Sequence, residues 1–437
     1  MVLRSAPKVF GQGMHRVVAP ADTLRRIKPL ARKAGVTRLA NITGLDRIGI
    51  PTYSAVVPKS RDLLSIYNGK GATNADAACG ALMEAIERQS ALNLRRPVVH
   101  ASYRKISRRE RALDPKTMAL QLDSDYTDDL VLSWVDGYDI CSNEPVKAPV
   151  TAAGYMLYEG YGPPCFDIAT STGLASGNTM EEAICHALCE LIERDAWTLA
   201  ELLSHCLPLW KYQQQPNVQA GNGFQNDQFQ DDQERYPEVD LDGADSVIRG
   251  MLRQFSKAGL TPLVKDITSD LGVPSIMASS QDDSGPLPLA HLGFGAHPDP
   301  RVAVSRAISE LAQSRAVDIQ GVREDLSGPD EPVPAYMHHV KRVDAIDRSS
   351  WYHCRTSRRR KAGDIGGAVH GDILDDIRFM LERLKGSGLH QAIVVDLTDA
   401  ELGIPVVRVF VPGLESWAAD QSRIGWRANG FWQAHEE

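Results

Sequence analysis

Four polar side chains recur at helical spacing between residues 178 and 197, in a segment that is otherwise largely apolar. On a helix with 100° per residue, one arc of about 80° contains Glu182, His186, Glu190 and Glu193. Carboxylates three or four residues apart repel one another even in water. Such a stripe is unfavourable for helix stability but offers oxygen ligands to a divalent cation, most simply Mg²⁺.

An earlier helical segment, residues 74–92, carries a similar stripe. Glu84, Glu87 and Arg88 fall within an arc of about 100°, on a helix whose other residues are mostly Ala, Leu, Met and Ile. Buried carboxylates persist when they are paired with cations, hydrogen-bonded or bound to a metal. For this helix alone, a structural Glu–Arg ion pair is as good an explanation as a metal site. The similar stripe between residues 178 and 197 favours the metal site.

A third polar stripe follows Asp299 and Pro300, a pair that is typical of a helix start. Within an arc of about 60° it contains Arg306, Glu310 and Gln313. An Arg–Glu pair at i,i+4 is commonly structural, but three polar stripes on buried helices indicate convergence on one charged ligand. The helix start at Asn178 and Thr179 offers unpaired N–H groups that suit an anion such as phosphate.

Other catalytic signals are weak. Cys185 and Cys189 flank His186 and raise the hypothesis of a zinc site, but Cys185 points about 100° away from His186, and buried thiols usually behave as small hydrophobes. Lys70 lies between two glycines and could reach a phosphate, although the segment is too short to be a phosphate loop. No convincing Ser-His-Asp or Cys-His arrangement indicates a nucleophile.

Composition excludes several classes of function. The 48 Lys and Arg against 56 Asp and Glu give a net charge of -8, so no global positive field is available to hold a nucleic-acid backbone. No run approaches the roughly 18 apolar residues of a membrane-spanning helix, and the basic N-terminus lacks the apolar core of a secretory signal. The 7 cysteines include no CxxC pair. We therefore expect a cytoplasmic protein with reduced thiols that binds neither nucleic acid nor a membrane.

The elements that must position these stripes alternate between strands and helices. Three segments, 44–57, 266–279 and 396–411, each contain Gly-x-Pro followed by a strand-like run, which predicts strand, tight turn, strand. Chance recurrence of turn residues is the alternative to a true internal repeat. Helical patterns lie near 75–92, 180–202, 246–258, 300–318 and 370–386. We predict one composite domain of the mixed α/β (α+β) class.

The motifs, in this order along the chain, resemble the YcaO family. The resemblance rests on Lys70-Gly71, ALMEAIER at 81–88, GLASGNTMEEAICHALCELIERDAW at 173–197, AHPDPRVAVSRAISELAQSR at 296–315 and VPGLE at 411–415. It implies an ATP-binding fold in which acidic side chains hold Mg²⁺ and basic or polar ones hold the phosphates. It also implies phosphorylation of a peptide-backbone amide oxygen, which then leaves as phosphate after a nucleophile has attacked the carbonyl carbon.

The resemblance also assigns residues. As metal ligands it implies Glu84, Glu87, Glu190 and Glu193. As nucleotide-site residues it implies Lys70, Arg88, Asn178, Glu182, His186, Arg194, Arg306 and Glu310. No nucleophilic side chain is required. His186 stands where many members have Gln, and Gly80 stands where the first motif usually starts with Ser, which removes a hydroxyl near ATP.

The chain then divides into an N-terminal extension, the YcaO-like catalytic domain and a C-terminal tail, at residues 1–35, 36–415 and 416–437. Residues 211–245 are expected to be a polar flexible insertion, and residues 321–367 a loop-rich segment. The basic run Arg358–Lys361 in that segment predicts a solvated face, with a partner or peptide contact as the alternative.

The tail lacks the Pro-x-Pro-x-Pro ending of many azoline-forming members, and GLDRIGIP at 44–51 is similar to the group that acts with a TfuA protein. We therefore expect backbone thioamidation of a peptide or protein, with an external sulfur donor and a TfuA-like partner. Azoline formation and a non-catalytic nucleotide-binding role remain the alternatives, and a homodimer is left open.

Overall fold

The computed structural model describes the chain except residues 12, 59, 63, 95, 97, 119, 122–123, 156–160, 162–164, 167–169, 215–234, 285–288, 322–349, 421–422 and 437. The described strands are β1 (Arg38–Asn41), β2 (Thr52–Val56), β3 (Ile66–Lys70), β4 (Val99–Ser102), β5 (Val131–Asp139), β6 (Glu144–Pro149), β7 (Leu174–Ser176), β8 (Glu238–Asp240), β9 (Leu263–Asp266), β10 (Ser275–Asp282), β11 (Leu289–Ala296), β12 (Arg359–Lys361), β13 (Ile393–Asp396) and β14 (Val406–Phe410). They form three sheets, with the orders β1-β2-β3, β11-β10-β9-β8-β12 and β4-β5-β13-β14-β7, and β6 pairs with β5.

Helices pack against these sheets. The described α-helices are α1 (Pro20–Ile27), α2 (Asn74–Leu92), α3 (Tyr103–Ile106), α4 (Val150–Ala153), α5 (Met180–Glu201), α6 (Leu207–Gln213), α7 (Ser246–Lys257), α8 (Pro300–Gly321), α9 (Ile373–Gly386), α10 (Trp417–Asp420) and α11 (Trp426–Gln433). The helices predicted from sequence periodicity correspond to α2, α5, α7, α8 and α9, so the predicted mixed α/β fold is confirmed. In the described part of the chain, no helix is both long and apolar enough to cross a membrane.

One unit of three antiparallel strands and a helix occurs three times. The first is β1-β2-β3-α2 and the second is β9-β10-β11-α8. The third combines the hairpin β13–β14 with β7 and α5, which come earlier in the chain. In each unit the last residue of the third strand pairs with the first residue of the second strand. These pairs are Lys70–Thr52, Ala296–Ser275 and Ser176–Val406.

The three hairpins share the turn chemistry that the Gly-x-Pro segments predict. Gly49, Gly272 and Gly403 have φ of 77°, 63° and 63°, a region that glycine adopts without a steric penalty. In each turn a threonine hydroxyl accepts a hydrogen bond from the first N–H of the outgoing strand. These bonds are Thr52 N to Thr43 Oγ1 (3.0 Å), Ser275 N to Thr268 Oγ1 (3.1 Å) and Val406 N to Thr398 Oγ1 (3.3 Å). The predicted internal repeat is therefore confirmed.

The site helices α2, α5 and α8 begin at equivalent places, because three residues separate each of them from the third strand of its unit. Thr73 and Thr179 cap α2 and α5 by accepting backbone N–H groups, and Asp299 does the same before α8. Counted from these caps, the eleventh residues are Glu84, Glu190 and Glu310. The three glutamates therefore occupy one equivalent position in three units.

Each site helix packs its apolar side into a different hydrophobic cluster. Fully buried Ile86 of α2, Leu188 of α5 and Ile308 of α8 belong to three separate clusters. Glycines bring strand and helix backbones together inside the units. A Cβ at Gly69 would lie 2.1 Å from the carbonyl oxygen of Ala77 in α2. Because the apolar sides face outward, the polar stripes face a common centre.

Two predicted surface segments contain ordered elements. Within residues 211–245, the structure places the end of α6 and the strand β8, whereas residues 215–234 lie outside the described residues. Within residues 321–367, of which 322–349 lie outside the described residues, the basic run forms β12, which pairs in parallel with β8. Arg359 contacts Glu238 and Arg360 contacts Asp266, so part of the run is held by ion pairs.

The close strand–helix contact makes a direct prediction for stability. A Cβ at Gly293 of β11 would lie 2.2 Å from the backbone nitrogen of Leu311 in α8, so Gly293→Ala forces the helix to move. We expect a loss of at least about 2 kcal/mol of unfolding free energy in urea denaturation. Gly363→Ala, where the added Cβ meets no atom within 4 Å, is the matched control. Equal stability of the two variants would contradict this packing.

Candidate functional site

The polar stripes line one cavity of about 420 Å³ between α2, α5, α8 and the edges of their strands. All the metal-type and nucleotide-type residues predicted from sequence are at its wall. They are Lys70, Glu84, Glu87, Arg88, Asn178, Glu182, His186, Glu190, Glu193, Arg194, Arg306 and Glu310. The cavity lies within the size range of small-molecule sites.

Each of the three equivalent glutamates accepts a backbone hydrogen bond at the strand edge of its own unit. The bonds are Asn68 N to Glu84 Oε2 (3.0 Å), Gly173 N to Glu190 Oε2 (3.2 Å) and Phe294 N to Glu310 Oε1 (3.4 Å). A strand edge has unpaired N–H groups, and here they orient carboxylates instead of pairing with another strand. One oxygen of each carboxylate is thereby held in place.

The other oxygen of each glutamate lies beside a cation. Arg88 Nη2 is 3.6 Å from Glu84 Oε1, and Arg194 Nη2 is 3.6 Å from Glu190 Oε1. Lys70, from a different unit, contacts Glu310 Oε2. These residues therefore form the ion pairs that the structural interpretation predicts. They also converge on one cavity, as the metal interpretation requires.

Burial weakens the charged form of several of these carboxylates, and it raises the pKa of Glu84 even though Arg88 opposes the shift. Burial raises the pKa of Glu87 to about 8, against the opposing effect of Arg88. Burial also raises the pKa of Glu193 to about 7, with Glu310 and Glu190 adding to it. For Glu310 burial acts in the same direction, but Lys70 and Arg194 outweigh it and lower its pKa. A divalent cation would supply the charge that Glu87 and Glu193 lack.

The other predicted nucleotide-site residues lie one to two turns earlier on α5 and α8 or at the start of α5. Asn178 Nδ2 donates to Glu182 Oε1 over 3.1 Å, and Arg306 Nη1 donates to the carbonyl oxygen of Ala296 over 3.0 Å. Burial and then Arg306 lower the pKa of His186 well below its usual value. His186 is therefore a neutral ring at pH 7, comparable in this respect to the glutamine that many family members have.

Sequence reasoning missed the contribution of the N-terminal segment to the cavity. Arg16 and Thr23 line the wall, and Arg16 Nε lies 3.3 Å from Glu182 Oε1. Thr23 Oγ1 donates to Asn178 Oδ1 over 2.9 Å. Nothing in the local sequence distinguishes Arg16 from the other N-terminal basic residues, so only its long-range contacts identify it.

An aromatic stack supports Arg194 from behind. The Arg194 guanidinium lies 5.6 Å from the ring centroid of Trp197, which stacks on Phe294 at 4.2 Å. Trp197 Nε1 donates to the hydroxyl of Tyr352 over 2.9 Å, and that hydroxyl donates to Glu201 Oε2. The stack joins α5 to β11 and fixes the orientation of Arg194 toward the carboxylates.

The thiols do not support the zinc hypothesis. Cys185 and Cys189 face His297 within a 4.8 Å cluster, not His186. The Nδ1 atom of His297 accepts the backbone N–H of Asp299 over 2.9 Å, so the proton of the neutral ring is on Nε2. A neutral histidine that ligates a metal instead donates its second ring N–H. This histidine consequently has no lone pair for zinc in the observed arrangement.

A cavity that combines six glutamates with Lys70, Arg88, Arg194 and Arg306 is typical of proteins that bind a metal ion together with an anionic ligand. The chain belongs to the YcaO family, because a family model described as YcaO cyclodehydratase, ATP- and Mg²⁺-binding, matches residues 68–415. This description confirms ATP and Mg²⁺ as the predicted cofactors. The carboxylate oxygens and guanidinium groups of the cavity fit that pair of ligands.

Relatives cover nearly the whole chain. An uncharacterized protein of Methanothermobacter thermautotrophicus (strain Delta H) is 35% identical over 95% of this chain and 99% of its own length. A protein of Rhizobium leguminosarum bv. trifolii, named as lying in the tfuA 3' region, is 33% identical over 94% of this chain and 92% of its own.

Solved structures share the fold. YcaO from Methanopyrus kandleri, bound with AMPPCP and Mg²⁺, matches with a TM-score of 0.69 and 23% identity, over 96% of this chain and 98% of that one. A heterocyclase in complex with substrate and cofactor gives a TM-score of 0.72 and 23% identity over 95% of this chain. The present chain spans about half of that heterocyclase, 54% of its length.

The raised carboxyl pKa values predict proton release when the cofactors bind. Metal binding requires ionised carboxylates, so binding of Mg²⁺-ATP should expel protons from Glu87 and Glu193 and should tighten as the pH rises from about 7 to 8. Calorimetry in two buffers of different ionisation enthalpy measures the protons released. Glu87→Gln should release fewer protons, and an affinity that does not change with pH would contradict this interpretation.

Proposed function

We propose that this chain binds Mg²⁺-ATP in the cavity and phosphorylates a peptide-backbone amide oxygen, so that a sulfur donor can convert the amide to a thioamide. The observation that carries the proposal is the convergence of three equivalent, backbone-anchored glutamates, each beside a cation. Family membership supports the use of ATP and Mg²⁺. The amide chemistry and the sulfur step are the proposed part.

In this proposal the metal lies among Glu84, Glu87, Glu190 and Glu193. Glu310 joins them, because it occupies the position in its unit that Glu84 and Glu190 occupy in theirs. Lys70, Arg88, Arg194 and Arg306 then neutralise phosphate oxygens. Mg²⁺ held by these glutamates would neutralise the charge that develops during phosphoryl transfer.

The remaining nucleotide-type residues position the ligand. Asn178 and Glu182 are bonded to each other and to the N-terminal segment, which gives them a fixed orientation at the cavity wall. His186 offers a neutral ring nitrogen for a hydrogen bond. A Cβ at Gly80 would lie 3.3 Å from the Cα of Gly69. The close approach of β3 to α2 therefore favours glycine, which has no side chain, at this position.

The reaction needs no protein nucleophile. An amide oxygen is a poor leaving group, and transfer of the γ-phosphoryl group to it with release of ADP makes it a good one. A sulfide equivalent then attacks the carbonyl carbon, and the oxygen leaves as phosphate. The role of the chain is positioning and charge neutralisation, which fits a cavity of carboxylates, guanidinium groups and one lysine.

Thioamidation is favoured over azoline formation by the gene position of one relative, which is named for the tfuA 3' region. Azoline formation is the second candidate, since the family description is cyclodehydratase and one fold neighbour is a heterocyclase. A TfuA-like partner and a peptide substrate belong to the proposal. The non-catalytic alternative predicts binding of ATP without ADP release.

The deciding experiment incubates the chain with a TfuA-like protein, sulfide, Mg²⁺-ATP and a candidate peptide encoded beside it, followed by mass spectrometry. Thioamidation predicts a mass gain equal to the exchange of oxygen for sulfur, together with release of ADP. Loss of one water instead would identify an azoline. ATP binding without ADP release, in the presence of a peptide that the protein binds, would favour the accessory role.

Charge removal at two glutamates tests the site itself. Glu190→Gln or Glu193→Gln keeps size and hydrogen bonding but removes the charge that holds the metal, so ATP turnover should fall at least about 100-fold in a folded protein. Glu181→Gln, on the same helix but outside the cavity wall, should retain turnover.

The two interpretations of these glutamates differ in what the variants lose. If they serve only as ion-pair partners of arginines, the substitutions should cost about 3–5 kcal/mol of unfolding free energy and leave turnover intact below the melting point. A variant that melts early but hydrolyses ATP at the parental rate would refute the metal assignment.

A further inference from the structure

An exposed surface with an excess of positive charge lies over α1 and the turn and strand that follow it. We call this surface the cationic face. Its members are Arg25, Arg26, Lys28, Arg32, Lys33 and Arg38, all exposed. Asp22 is the one acidic residue between positions 20 and 38, in a chain whose net charge is -8. Positive charge is therefore concentrated on this surface, although the chain as a whole is negatively charged.

Most of these charges have no ion-pair partner. Arg25 lies 2.9 Å from Asp22. Among the residues that the structure describes, Lys28, Arg32, Lys33 and Arg38 have no carboxylate within 4.0 Å. Neighbouring cations repel one another, so such a face lowers the stability of the chain unless an anionic partner covers it.

The cationic face begins at the rim of the cavity. Pro20 and Thr23 of α1 line the cavity wall. Arg26, one turn further, donates to Asn178 Oδ1 over 2.8 Å, and Asn178 also lines the cavity. A single helix therefore has one side in the candidate nucleotide site and the other side in the exposed cationic surface.

We infer that the cationic face binds an acidic segment of the peptide substrate while the amide to be modified enters the cavity, an inference that rests on the proposed function. A peptide substrate is a chain, and only one of its amides can reach the phosphate. The flanking residues must lie across the rim, where complementary charge increases the rate of encounter and sets the register.

The length of the cationic face limits the distance along the peptide between its acidic segment and the amide to be modified. Ten residues from Thr23 to Lys33, mostly helical, correspond to on the order of 15 Å at 1.5 Å per residue. An extended peptide covers that distance with about five residues. The acidic segment should therefore lie about five residues or fewer from the modified position.

A second exposed basic group provides a matched control. Lys105, Arg108 and Arg109, around the end of α3, are exposed and have no carboxylate within 4.0 Å among the described residues. They do not line the cavity. Reversing three charges there changes the net charge as much as reversing three on the cationic face.

The test compares Lys28→Glu/Arg32→Glu/Lys33→Glu with Lys105→Glu/Arg108→Glu/Arg109→Glu in the full chain. The probe is a fluorescein-labelled peptide of alternating glutamate and glycine, followed by fluorescence anisotropy at low and physiological ionic strength. We expect binding to weaken by roughly tenfold or more in the first variant and by less than about twofold in the second. Added salt should weaken wild-type binding.

Several outcomes would overturn the inference. Equal losses in both variants would show attraction to bulk charge only, and tighter binding of a single-stranded RNA of the same length would assign the face to nucleic acid. Gln at the same three positions should weaken binding less than Glu. Melting temperatures should not fall, because the side chains are exposed and their removal relieves repulsion between neighbouring cations.

Calorimetry with Mg²⁺-ATP separates this inference from the proposed function. All variants should bind Mg²⁺-ATP as the wild type does, since none of the substituted residues lines the cavity. Loss of acidic-peptide binding with intact Mg²⁺-ATP binding supports the cationic face. A wild type that binds Mg²⁺-ATP but not the peptide overturns the cationic face alone. Absence of Mg²⁺-ATP binding in the wild type counts against the proposed function.

Discussion

The structure depends on keeping several carboxylates close together in a buried centre. Burial raises the pKa of Glu87 and Glu193, which is the direct sign of its cost. An unpaired buried charge would cost several kcal/mol. The fold reduces this cost by giving each of the three equivalent glutamates one backbone N–H and one cation. The remaining attraction for positive charge is what makes the centre suitable for Mg²⁺.

Repetition of one unit is what makes the three glutamates equivalent. Each unit positions its helix by the same strand pairing and the same capped start, so residues at the same count from the cap reach the same depth. The third unit is built from two distant parts of the chain, since β7 and α5 precede the hairpin β13–β14. Pairing in the sheet, rather than order in the chain, therefore determines the site.

The wall of the cavity is built partly from residues that precede the segment matched by the family model. The family model matches from residue 68, yet Arg16 and Thr23 from the N-terminal segment form part of the cavity wall. The same segment continues into the cationic face, whose exposed charges are opposite in sign to the net charge of the chain. One segment thus connects the candidate nucleotide site to the surface over which a peptide would reach it.

The sequence by itself determined the local features. Helical spacing is enough to align Glu190 with Glu193, and the Gly-x-Pro segments are enough to predict the three hairpins, because both depend on neighbouring residues. Family resemblance added the functional assignment. The tertiary structure alone decided that Lys70 pairs with Glu310, that Arg16 reaches Glu182, and that Glu310 is equivalent to Glu84 and Glu190. Those contacts join residues that are far apart in the chain, and long-range packing, which leaves no periodic signal in the sequence, determines them.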